Sequence, residues 1–160
     1  DKAAIEKIIA LRNLDKNHQF SLVCRDLSDL ATYAKVENAD YRLLKRNTPG
    51  PFTFILQDSR EVPKRLVHPK KKLIGLRVPD HPIVQGLLEI FGEPMVTATL
   101  RLDEADENLA DIEEIVESLG RHRDIAVILD GGPCGIEMST IVDLTEGDPV
   151  IVRQGLGVLA

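Results

Sequence analysis

Two patterns of hydrophobic positions alternate along the chain, and together they predict a mixture of helices and short strands. Apolar residues three and four apart, as at Ile5, Ile8 and Ile9, are typical of an amphipathic helix. This spacing and the capping residues predict helices over Lys2–Arg12, from Asp26 to Ala34, from Asn38 to Asn47, and over Val62–Val67, Pro82–Phe91 and Asn108–Leu119. Runs of β-branched and aromatic residues predict strands over Phe20–Cys24, Phe52–Gln57, Leu73–Val78, Met95–Leu100, Ile125–Leu129, Thr140–Leu144 and Val150–Arg153.

The order of these elements indicates the fold class. Helices are interspersed among the strands without strict alternation, and hairpin-like spacing recurs near the C-terminus. This favours an α/β (α+β) fold, a twisted mixed β-sheet with flanking helices, over a doubly wound parallel sheet. The chain has no internal repeat and no linker, so residues 1–160 are predicted to form a single domain. Neither common phosphate-binding glycine motif is present, so a nucleotide would have to be bound in another way.

Composition excludes several classes of protein. With 43% hydrophobic residues, the chain is too apolar to be intrinsically disordered. Its longest stretch without Asp, Glu, Lys or Arg is the eleven residues 47–57, whereas a membrane-spanning helix needs ~20 apolar residues. The two cysteines, Cys24 and Cys134, lack CxxC spacing, which argues against a zinc site and favours a reduced, cytoplasmic location. The histidines also lack metal-ligand spacing, so we expect no metal site.

Charge is distributed unevenly, and this changes what the net charge of −6 implies about partners. Residues 103–124 contain nine acidic and two basic residues, a net charge of −7, so the rest of the chain carries +1. Residues 60–77 contain seven basic residues and one acidic residue. This basic segment is either a solvated loop around Lys70, Lys71 and Lys72 or a surface that binds phosphate or nucleic acid. Aromatic residues make up only 4%, few for a protein that stacks unpaired bases.

Two turns carry residues suited to a ligand site. The segment Thr48–Thr53 places two prolines around a glycine just before a predicted strand, which holds the backbone in one path. It is either a rigid turn at the sheet edge or a loop that lines a ligand. Arg77 ends another predicted strand just before a helix begins. There it would serve as a clamp for carboxylate or phosphate, or as one half of a structural ion pair.

Hydroxyl and guanidinium groups recur at two strand ends near the C-terminus. Ser139 and Thr140 lead into one predicted strand, and Arg153 ends the next. Hydroxyl groups beside an arginine at neighbouring strand ends suit a phosphate group. Cys134 lies in a glycine-rich loop with no histidine near it in sequence, which argues against a role as nucleophile.

These segments, in this order, resemble the YrdC/YciO family of L-threonylcarbamoyl-AMP synthase domains, and most closely its YciO branch. Thr48–Thr53 resembles the family's Pro-Gly-Pro-x-Thr turn, and Gly75–Pro82 resembles its Arg-x-Pro segment. Gly92–Thr97 resembles the approach to its Ser-x-Asn motif. The family's C-terminal signature is matched by Asp130–Gly132, Ser139–Asp143 and Arg153–Gly155. The resemblance extends over residues 2–157, nearly the whole chain.

The resemblance implies a YrdC-like sheet with a large concave cavity, and an enzyme of the nucleotidyltransferase type. Its reaction converts L-threonine, bicarbonate and ATP, with Mg²⁺, to threonylcarbamoyl-AMP and pyrophosphate, for the threonylcarbamoyladenosine modification of tRNA. Carried onto this sequence, the catalytic position falls on Arg12, and the nucleotide and phosphate contacts fall on Arg12, Thr99, Arg101, Ser139, Thr140 and Arg153. The cavity lining falls on Pro49, Gly50, Thr53 and Arg77. Several anionic substrates in one cavity require fixed cationic donors.

The sequence departs from the family pattern at three places. The family's Lys-x-Arg pair falls on Ala10 and Arg12, so the lysine is lost. The Ser-x-Asn motif falls on Thr99 and Arg101. Thr99 keeps the hydroxyl group, but Arg101 replaces the asparagine. An amide both donates and accepts hydrogen bonds, whereas a guanidinium only donates them. The family's opening strand, which contacts threonine, has no counterpart. We therefore expect the single domain to be truncated at its N-terminus.

Two other functions fit the sequence. The family's basic concave face has been associated with double-stranded RNA and the ribosome, and reading the shape of duplex RNA requires basic groups and few aromatic residues. The residues that would contact such an RNA or a tRNA are Lys64, Arg65, Lys70, Lys71 and Lys72. The third function is a related nucleotide-binding or regulatory domain without catalysis.

Overall fold

The structure, a computed structural model, describes residues 1–15, 18–67, 70–101 and 109–160, without the side chain of Arg65. Its helices are α1 (Lys2–Leu11), α2 (Leu27–Tyr33), α3 (Asn38–Asn47), α4 (Pro82–Phe91) and α5 (Ile112–Leu119), with one 3-10 turn at Lys64–Leu66. Its strands are β1 (Ser21–Val23), β2 (Phe52–Gln57), β3 (Leu73–Arg77), β4 (Met95–Thr97), β5 (Thr140–Asp143) and β6 (Val150–Arg153). None of the described helices is long and apolar enough to cross a membrane.

The chain forms two compact units. The larger comprises residues 19–97 and 137–160, and it contains all six strands together with α2, α3 and α4. The smaller comprises residues 1–18 and 98–136, and it contains α1 and α5.

A six-stranded mixed sheet runs through the larger unit in the order β4-β1-β3-β2-β5-β6. β1 is parallel to β3 and β2 is parallel to β5, whereas the other neighbouring strands are antiparallel. The expected α/β fold, a mixed sheet with flanking helices, is confirmed. β4 and β6 form the two edges, so the central strands β2 and β3 are bounded on both sides by other strands.

The core of the larger unit lies at the centre of this sheet. Phe54, Ile74 and Leu76, on β2 and β3, are at most 1% exposed, and the Phe52 and Phe54 rings stack with their centroids 5.5 Å apart. The helices α2, α3 and α4 each bury one leucine almost completely, namely Leu30, Leu44 and Leu88. Burial of such a side chain contributes about 1.5–3 kcal/mol to folding, so each helix is held to the unit mainly by its apolar face.

The capping signals of the sequence define three of the six helix ends in the larger unit, at Asp26, Pro82 and Gly92. The Asp26 carboxylate accepts a hydrogen bond from the backbone N–H of Asp29 (2.8 Å) at the start of α2. Gly92 ends α4 in the left-handed conformation, with φ = 71°. At α3 the predicted cap is wrong by one residue. Glu37, and not Asn38, is the cap, because its backbone N–H donates to the carboxylate of Asp40 three residues later (3.3 Å).

Several predicted elements differ from the structure. The predicted helix over Val62–Val67 is only the three-residue 3-10 turn at Lys64–Leu66, and the predicted strands at Phe20–Cys24, Leu73–Val78 and Thr140–Leu144 are shorter by one or two residues. β4 ends at Thr97 and not at Leu100, because its partner β1 begins at the residue opposite Thr97. The predicted strand over residues 125–129 is absent from the described strands. Two of its side chains, Val127 and Leu129, are 69% and 55% exposed, so the burial that would stabilise a strand is missing. α5 begins at Ile112 with Asp111 as its cap, and residue 108, its predicted start, lies outside the described residues.

The smaller unit is built on two capped helices. The Asp1 carboxylate accepts hydrogen bonds from the first turn of α1, and the Asp111 carboxylate does the same for α5. Apolar side chains Ile5, Leu14 and Leu119 are buried. An ion pair joins Lys7 of α1 to Asp124, with 3.2 Å between Nζ and Oδ1.

Candidate functional site

Four of the predicted site residues lie at one end of the sheet. β3 ends at Arg77, its antiparallel neighbour β2 begins at Phe52, and β5 begins beside Phe52 because β2 and β5 are parallel. β6 then returns to the same end and finishes at Arg153, which is paired with Ile141. The strand topology therefore brings together residues that are far apart in sequence. We call Thr53, Arg77, Ser139 and Arg153 the Ser139 cluster.

Ser139 is the centre of this cluster. Its Oγ lies 2.8 Å from Oγ1 of Thr53, which is 9% exposed on β2. Its carbonyl oxygen accepts hydrogen bonds from Nε (3.2 Å) and Nη2 (2.8 Å) of Arg153, and Nη2 also lies 3.4 Å from the Ser139 Oγ. A guanidinium is thus fixed beside two hydroxyl groups, a combination of donors that suits a phosphate or carboxylate oxygen.

Arg77 adds a second cation to the cluster. Its Nε is buried and, among the described residues, has no hydrogen-bond partner. Burial lowers the pKa of Arg77, and the positive charge of Arg153 lowers it further. A partly desolvated cation that lies near a second cation is unfavourable, and a bound anion would offset both the desolvation and the repulsion. The larger unit therefore offers an electrostatic environment for an anion.

Thr140, the neighbour of Ser139, serves the structure instead. It is fully buried, and its hydroxyl donates to the Gly157 carbonyl (2.7 Å) and accepts from the Gly155 N–H (3.0 Å). Gln154 Nε2 lies 3.4 Å from the same oxygen. A hydroxyl has one donor and two acceptor positions, so that of Thr140 is fully used within the chain. The nucleotide contact that the resemblance implies for Thr140 stays a prediction, and the hydroxyl itself is already bound within the chain.

The turn that contains Pro49 and Gly50 is joined to the segment after β3. The Gly50 N–H donates to the Val78 carbonyl (2.9 Å), and a Cβ at Gly50 would come within 2.9 Å of the Asn47 carbonyl oxygen. The peptide bond between Thr48 and Pro49 is cis. Pro49 lines an open cleft of about 390 Å³ in the larger unit, whose charged side chains are Arg25, Asp26, Lys45 and Asp80. The turn is thus both rigid and part of a cavity wall.

The predicted counterparts of the family's Lys-x-Arg and Ser-x-Asn motifs meet within the smaller unit. Arg12, which follows the last residue of α1, is 4% exposed, and its Nη1 donates a hydrogen bond to the carbonyl oxygen of Thr99. Arg101 is half-buried two residues further on, and Ala10 is exposed. Residues 87 positions apart in sequence are therefore in direct contact. The nucleotide contacts that the resemblance implies for Arg12, Thr99 and Arg101 stay predictions.

Three of the basic residues predicted to contact RNA lie at the other end of the strands. β2 ends at Gln57 opposite Leu73, the first residue of β3, and Lys70, Lys71 and Lys72 immediately precede Leu73. These three lysines and Lys64 are exposed, and the side chain of Arg65 lies outside the described residues. None of these lysines belongs to the Ser139 cluster. Two surfaces of different chemistry are thus separated by the length of β3.

No metal centre is found in the part of the chain that the structure describes, since no group of three or more His, Cys, Asp or Glu side chains could hold a metal ion there. The two cysteines have different environments. Cys24 is fully buried, whereas Cys134 is exposed. Burial, and then the charges of Asp29 and Asp26, raise the pKa of Cys24 to about 12, so its thiol is neutral.

Sequence reasoning missed two anchors of the C-terminal segment. Asn47, 5% exposed, exchanges hydrogen bonds with the backbone of Ala160, and Gln154 donates to the Gly157 carbonyl (2.7 Å). The sequence signal available for them is the pair of glycines at 155 and 157. Glycine has no side chain, so two glycines close together in a loop can indicate that the backbone there lies against another part of the fold.

Comparison with known proteins places the chain in a family. Residues 1–155 match the model of the Sua5/YciO/YrdC family, which is described as "Telomere recombination". The chain is 48% identical over 157 residues to the Escherichia coli protein YciO. This alignment covers 98% of this chain and 75% of YciO. It is 36% identical over 121 residues to the threonylcarbamoyl-AMP synthase of Bos taurus, covering 71% of this chain and 42% of the synthase.

Solved structures agree with the sequence comparison. The crystal structure of E. coli YciO superposes with a TM-score of 0.91 at 47% identity, covering 99% of this chain and 76% of YciO. The crystal structure of P. abyssi Sua5 complexed with L-threonine superposes with a TM-score of 0.85 at 26% identity, covering 97% of this chain and 45% of Sua5. The chain belongs to the Sua5/YciO/YrdC family.

Proposed function

We propose that the protein is a nucleotide-binding enzyme of the threonylcarbamoyl-AMP synthase type, acting on L-threonine, bicarbonate and ATP. The observation that carries this proposal is the Ser139 cluster, in which Arg153 and two hydroxyl groups accompany Arg77, whose Nε is buried. Family membership supports the reaction class, and the name of the Bos taurus relative and the threonine bound to P. abyssi Sua5 support the substrates.

The chemistry explains why cations are required. The amine of threonine combines with bicarbonate to give a carbamate and water. A carbamate oxygen then attacks the α-phosphorus of ATP, the bond to the β-phosphate breaks, and pyrophosphate leaves. The carbamate, the threonine carboxylate and the phosphates are all negative, so their approach requires fixed positive charge and hydrogen-bond donors.

We assign roles to the residues of the Ser139 cluster on this basis. Arg153 and the hydroxyl of Ser139 would bind a phosphate of ATP, and Thr53 would hold the Ser139 hydroxyl in place through their 2.8 Å contact. Arg77 would neutralise a further anionic group, either a phosphate or the substrate carboxylate. For Arg12 and Arg101 we keep the role that family resemblance implies, which is contact with the nucleotide phosphates.

Mg²⁺ would enter with its substrate. ATP carries Mg²⁺ on its phosphate oxygens, and such sites use few protein carboxylates. The described residues contain no cluster of carboxylates able to hold the ion by themselves. We therefore propose MgATP, rather than a resident metal, as the form that binds.

The proposal is tested by measuring pyrophosphate release by the purified full-length protein. Release should require L-threonine, bicarbonate and ATP together. Arg153→Ala should lower kcat/KM by about 100-fold, since a charge-assisted contact to the reacting phosphate is lost, and Arg12→Ala should abolish release. Arg121→Ala, at an exposed arginine of the smaller unit, is the matched control and should leave turnover unchanged. Tight ATP binding with no turnover on any amino acid would reject the enzyme in favour of a non-catalytic nucleotide-binding domain.

Double-stranded RNA or tRNA binding is the second candidate. It is favoured by the exposure of Lys64, Lys70, Lys71 and Lys72, and by the position of the last three at the opposite end of β3 from Arg77. When the logarithm of the binding constant is plotted against the logarithm of the salt concentration, each phosphate contact makes the slope more negative by about 0.9. Replacing Lys70, Lys71 and Lys72 by alanine should therefore weaken RNA binding and reduce this slope, while ATP affinity stays unchanged. If RNA affinity changes neither with salt concentration nor with this triple substitution, RNA binding by these lysines is wrong.

A further inference from the structure

Thr140 connects the Ser139 cluster to the segment that follows β6. It is the first residue of β5 and is paired with Phe52 of β2, at the centre of the end of the sheet that carries the cluster. Its hydroxyl bridges the backbone of Gly155 and Gly157, with one hydrogen bond accepted and one donated. One buried side chain thus fixes both ends of a three-residue turn that begins two residues after Arg153.

The turn at residues 155–157 is pressed against the sheet. A Cβ at Gly155 would lie 2.2 Å from the Met138 carbonyl oxygen and 2.7 Å from the Ser139 carbonyl carbon. The Leu156 N–H also donates to the Met138 carbonyl (3.0 Å). Only glycine permits so close an approach of two backbone segments. The position of the turn is therefore defined relative to Ser139 itself.

The pairing of β5 with β6 is irregular next to Arg153. Ile141 is paired with Arg153, but Val142 is paired with Ile151, so Val152 has no opposing residue. Such a bulge changes the face to which the following side chain points, because side chains alternate along a strand. The ladder is therefore interrupted just before Arg153, the last residue of β6, and the hydrogen bonds of Thr140 hold the chain immediately beyond it.

We propose that Thr140 is a positioning residue, which locks the turn at residues 155–157 so that the bulged end of β6 presents the Arg153 guanidinium to the Ser139 carbonyl. The consequence for binding rests on the proposed function, in which Arg153 contacts a phosphate of ATP. A guanidinium displaced by a fraction of an ångström loses much of its effect on a reacting phosphate. Thr140 would then govern nucleotide affinity without touching the nucleotide.

The test compares Thr140→Val, which keeps the shape and removes the hydroxyl, with Thr140→Ser, which keeps the hydroxyl. Thr145→Val is the matched control, since the Thr145 hydroxyl bonds Asp143 (2.6 Å) just beyond the other end of β5. The first measurement is the rate at which the Arg153 Nε–H proton exchanges with water, followed in a ¹⁵N–¹H NMR spectrum. The signal of this proton is assigned as the one that disappears in Arg153→Lys. This proton should exchange slowly in the parent protein, in Thr140→Ser and in Thr145→Val, and rapidly in folded Thr140→Val.

The second measurement is ATP affinity by titration calorimetry. Thr140→Val should weaken binding about tenfold, the loss of one well-placed charged contact, and Thr140→Ser should restore it. In the Arg153→Ala background, Thr140→Val should have no further effect, because the residue acts through Arg153.

The outcomes separate the two proposals. If the Arg153 Nε–H stays protected in Thr140→Val, or if the effects of Thr140→Val and Arg153→Ala on ATP affinity add, the positioning role is wrong. If that proton loses protection as expected but no variant, including the parent protein, binds ATP, the proposed function fails and the positioning role stands.

Discussion

The hydroxyl oxygens of Thr53 and Ser139 lie 2.8 Å apart, although 86 residues separate them in sequence. This contact joins β2 to the residue just before β5, at the point where Arg153 also binds Ser139. It makes the orientation of the Ser139 hydroxyl depend on its neighbour across the sheet. If a nucleotide binds to the Ser139 hydroxyl, its affinity should therefore also depend on the side chain of Thr53.

Thr53→Val should weaken ATP binding about threefold to tenfold while leaving the fold intact. The substitution keeps the branched shape on β2 and removes the partner of the Ser139 Oγ, and one hydrogen bond contributes about 0.5–1.5 kcal/mol. Titration calorimetry measures the affinity. Thr32→Val, which removes an exposed hydroxyl from α2, is the control, and equal affinities for all three proteins would contradict the role given to Thr53.

Arg77→Met should stabilise the protein or leave its stability unchanged, and at the same time weaken ATP binding at least about tenfold. Burial and the charge of Arg153 lower the pKa of Arg77, which means that the charged side chain is held at a cost in free energy. An apolar side chain of similar length removes this cost together with the anion contact. Urea unfolding and calorimetry measure the two effects, and a large loss of stability would show that Arg77 has a structural role.

Cys134 should react with a thiol reagent in the folded protein, whereas Cys24 should react only after unfolding. Cys134 is exposed, but Cys24 is fully buried and its pKa is raised to about 12. A buried neutral thiol is a poor nucleophile. Titration with Ellman's reagent should therefore detect one thiol in buffer and two in guanidinium chloride. Cys134→Ser should abolish the fast reaction, and two fast thiols in the native protein would refute the prediction.

The same thiol predicts how stability depends on alkaline pH. The Cys24 thiol ionises near its ordinary pKa of 9.0 in the unfolded chain and near 12 in the folded protein. Above pH 9 only the unfolded state loses this proton, so the free energy of unfolding should fall by up to about 1.4 kcal/mol per pH unit until pH 12. Below pH 9 this contribution is fully present. Urea unfolding of Cys24→Ala between pH 8 and 11 should show a shallower decline than the parent protein, and parallel curves would contradict this.

Gly157→Ala should destabilise the protein by about 1–3 kcal/mol or more, the usual effect of overpacking. A Cβ at this position would lie 2.5–2.8 Å from three atoms of the Phe52 ring, which is itself buried in the core. Gly86→Ala is the control, because a Cβ there meets nothing within 4 Å and alanine is favoured over glycine in the middle of α4. Gly86→Ala should raise the melting temperature, and a similar rise in Gly157→Ala would disprove the close packing.

The local elements of the fold could be predicted from the sequence, and their long-range partners could not. The bounds of β2 and α4 agree with prediction because Pro82, Gly92 and the apolar run of β2 act locally. The length of β4 was mispredicted because it is set by β1, more than 70 residues earlier. The same distinction holds at the site. Ser139 and Arg153 could be identified as candidates by the chemistry of their side chains, but their contact with each other and with Thr53 could not be predicted.

The role of Thr140 shows where prediction from the sequence ends. Ser139 and Thr140 are adjacent hydroxyl residues of similar chemistry, and the sequence cannot tell which of them faces a ligand. The structure distinguishes them because the glycines at 155 and 157 bring the backbone against Thr140. That contact depends on the packing of a segment 15 residues away, which hydrophobic periodicity does not encode.

The sheet order also has a consequence for folding during synthesis. β2 lies between β3 and β5, but β5 comes more than 80 residues after β2 in the chain. Contacts of such long sequence separation form late and slowly, because the loop between them must first be closed. The Ser139 cluster therefore cannot assemble on a nascent chain that carries only the first four strands. A ribosome-bound intermediate of that length would contain most of the core but no complete Ser139 cluster.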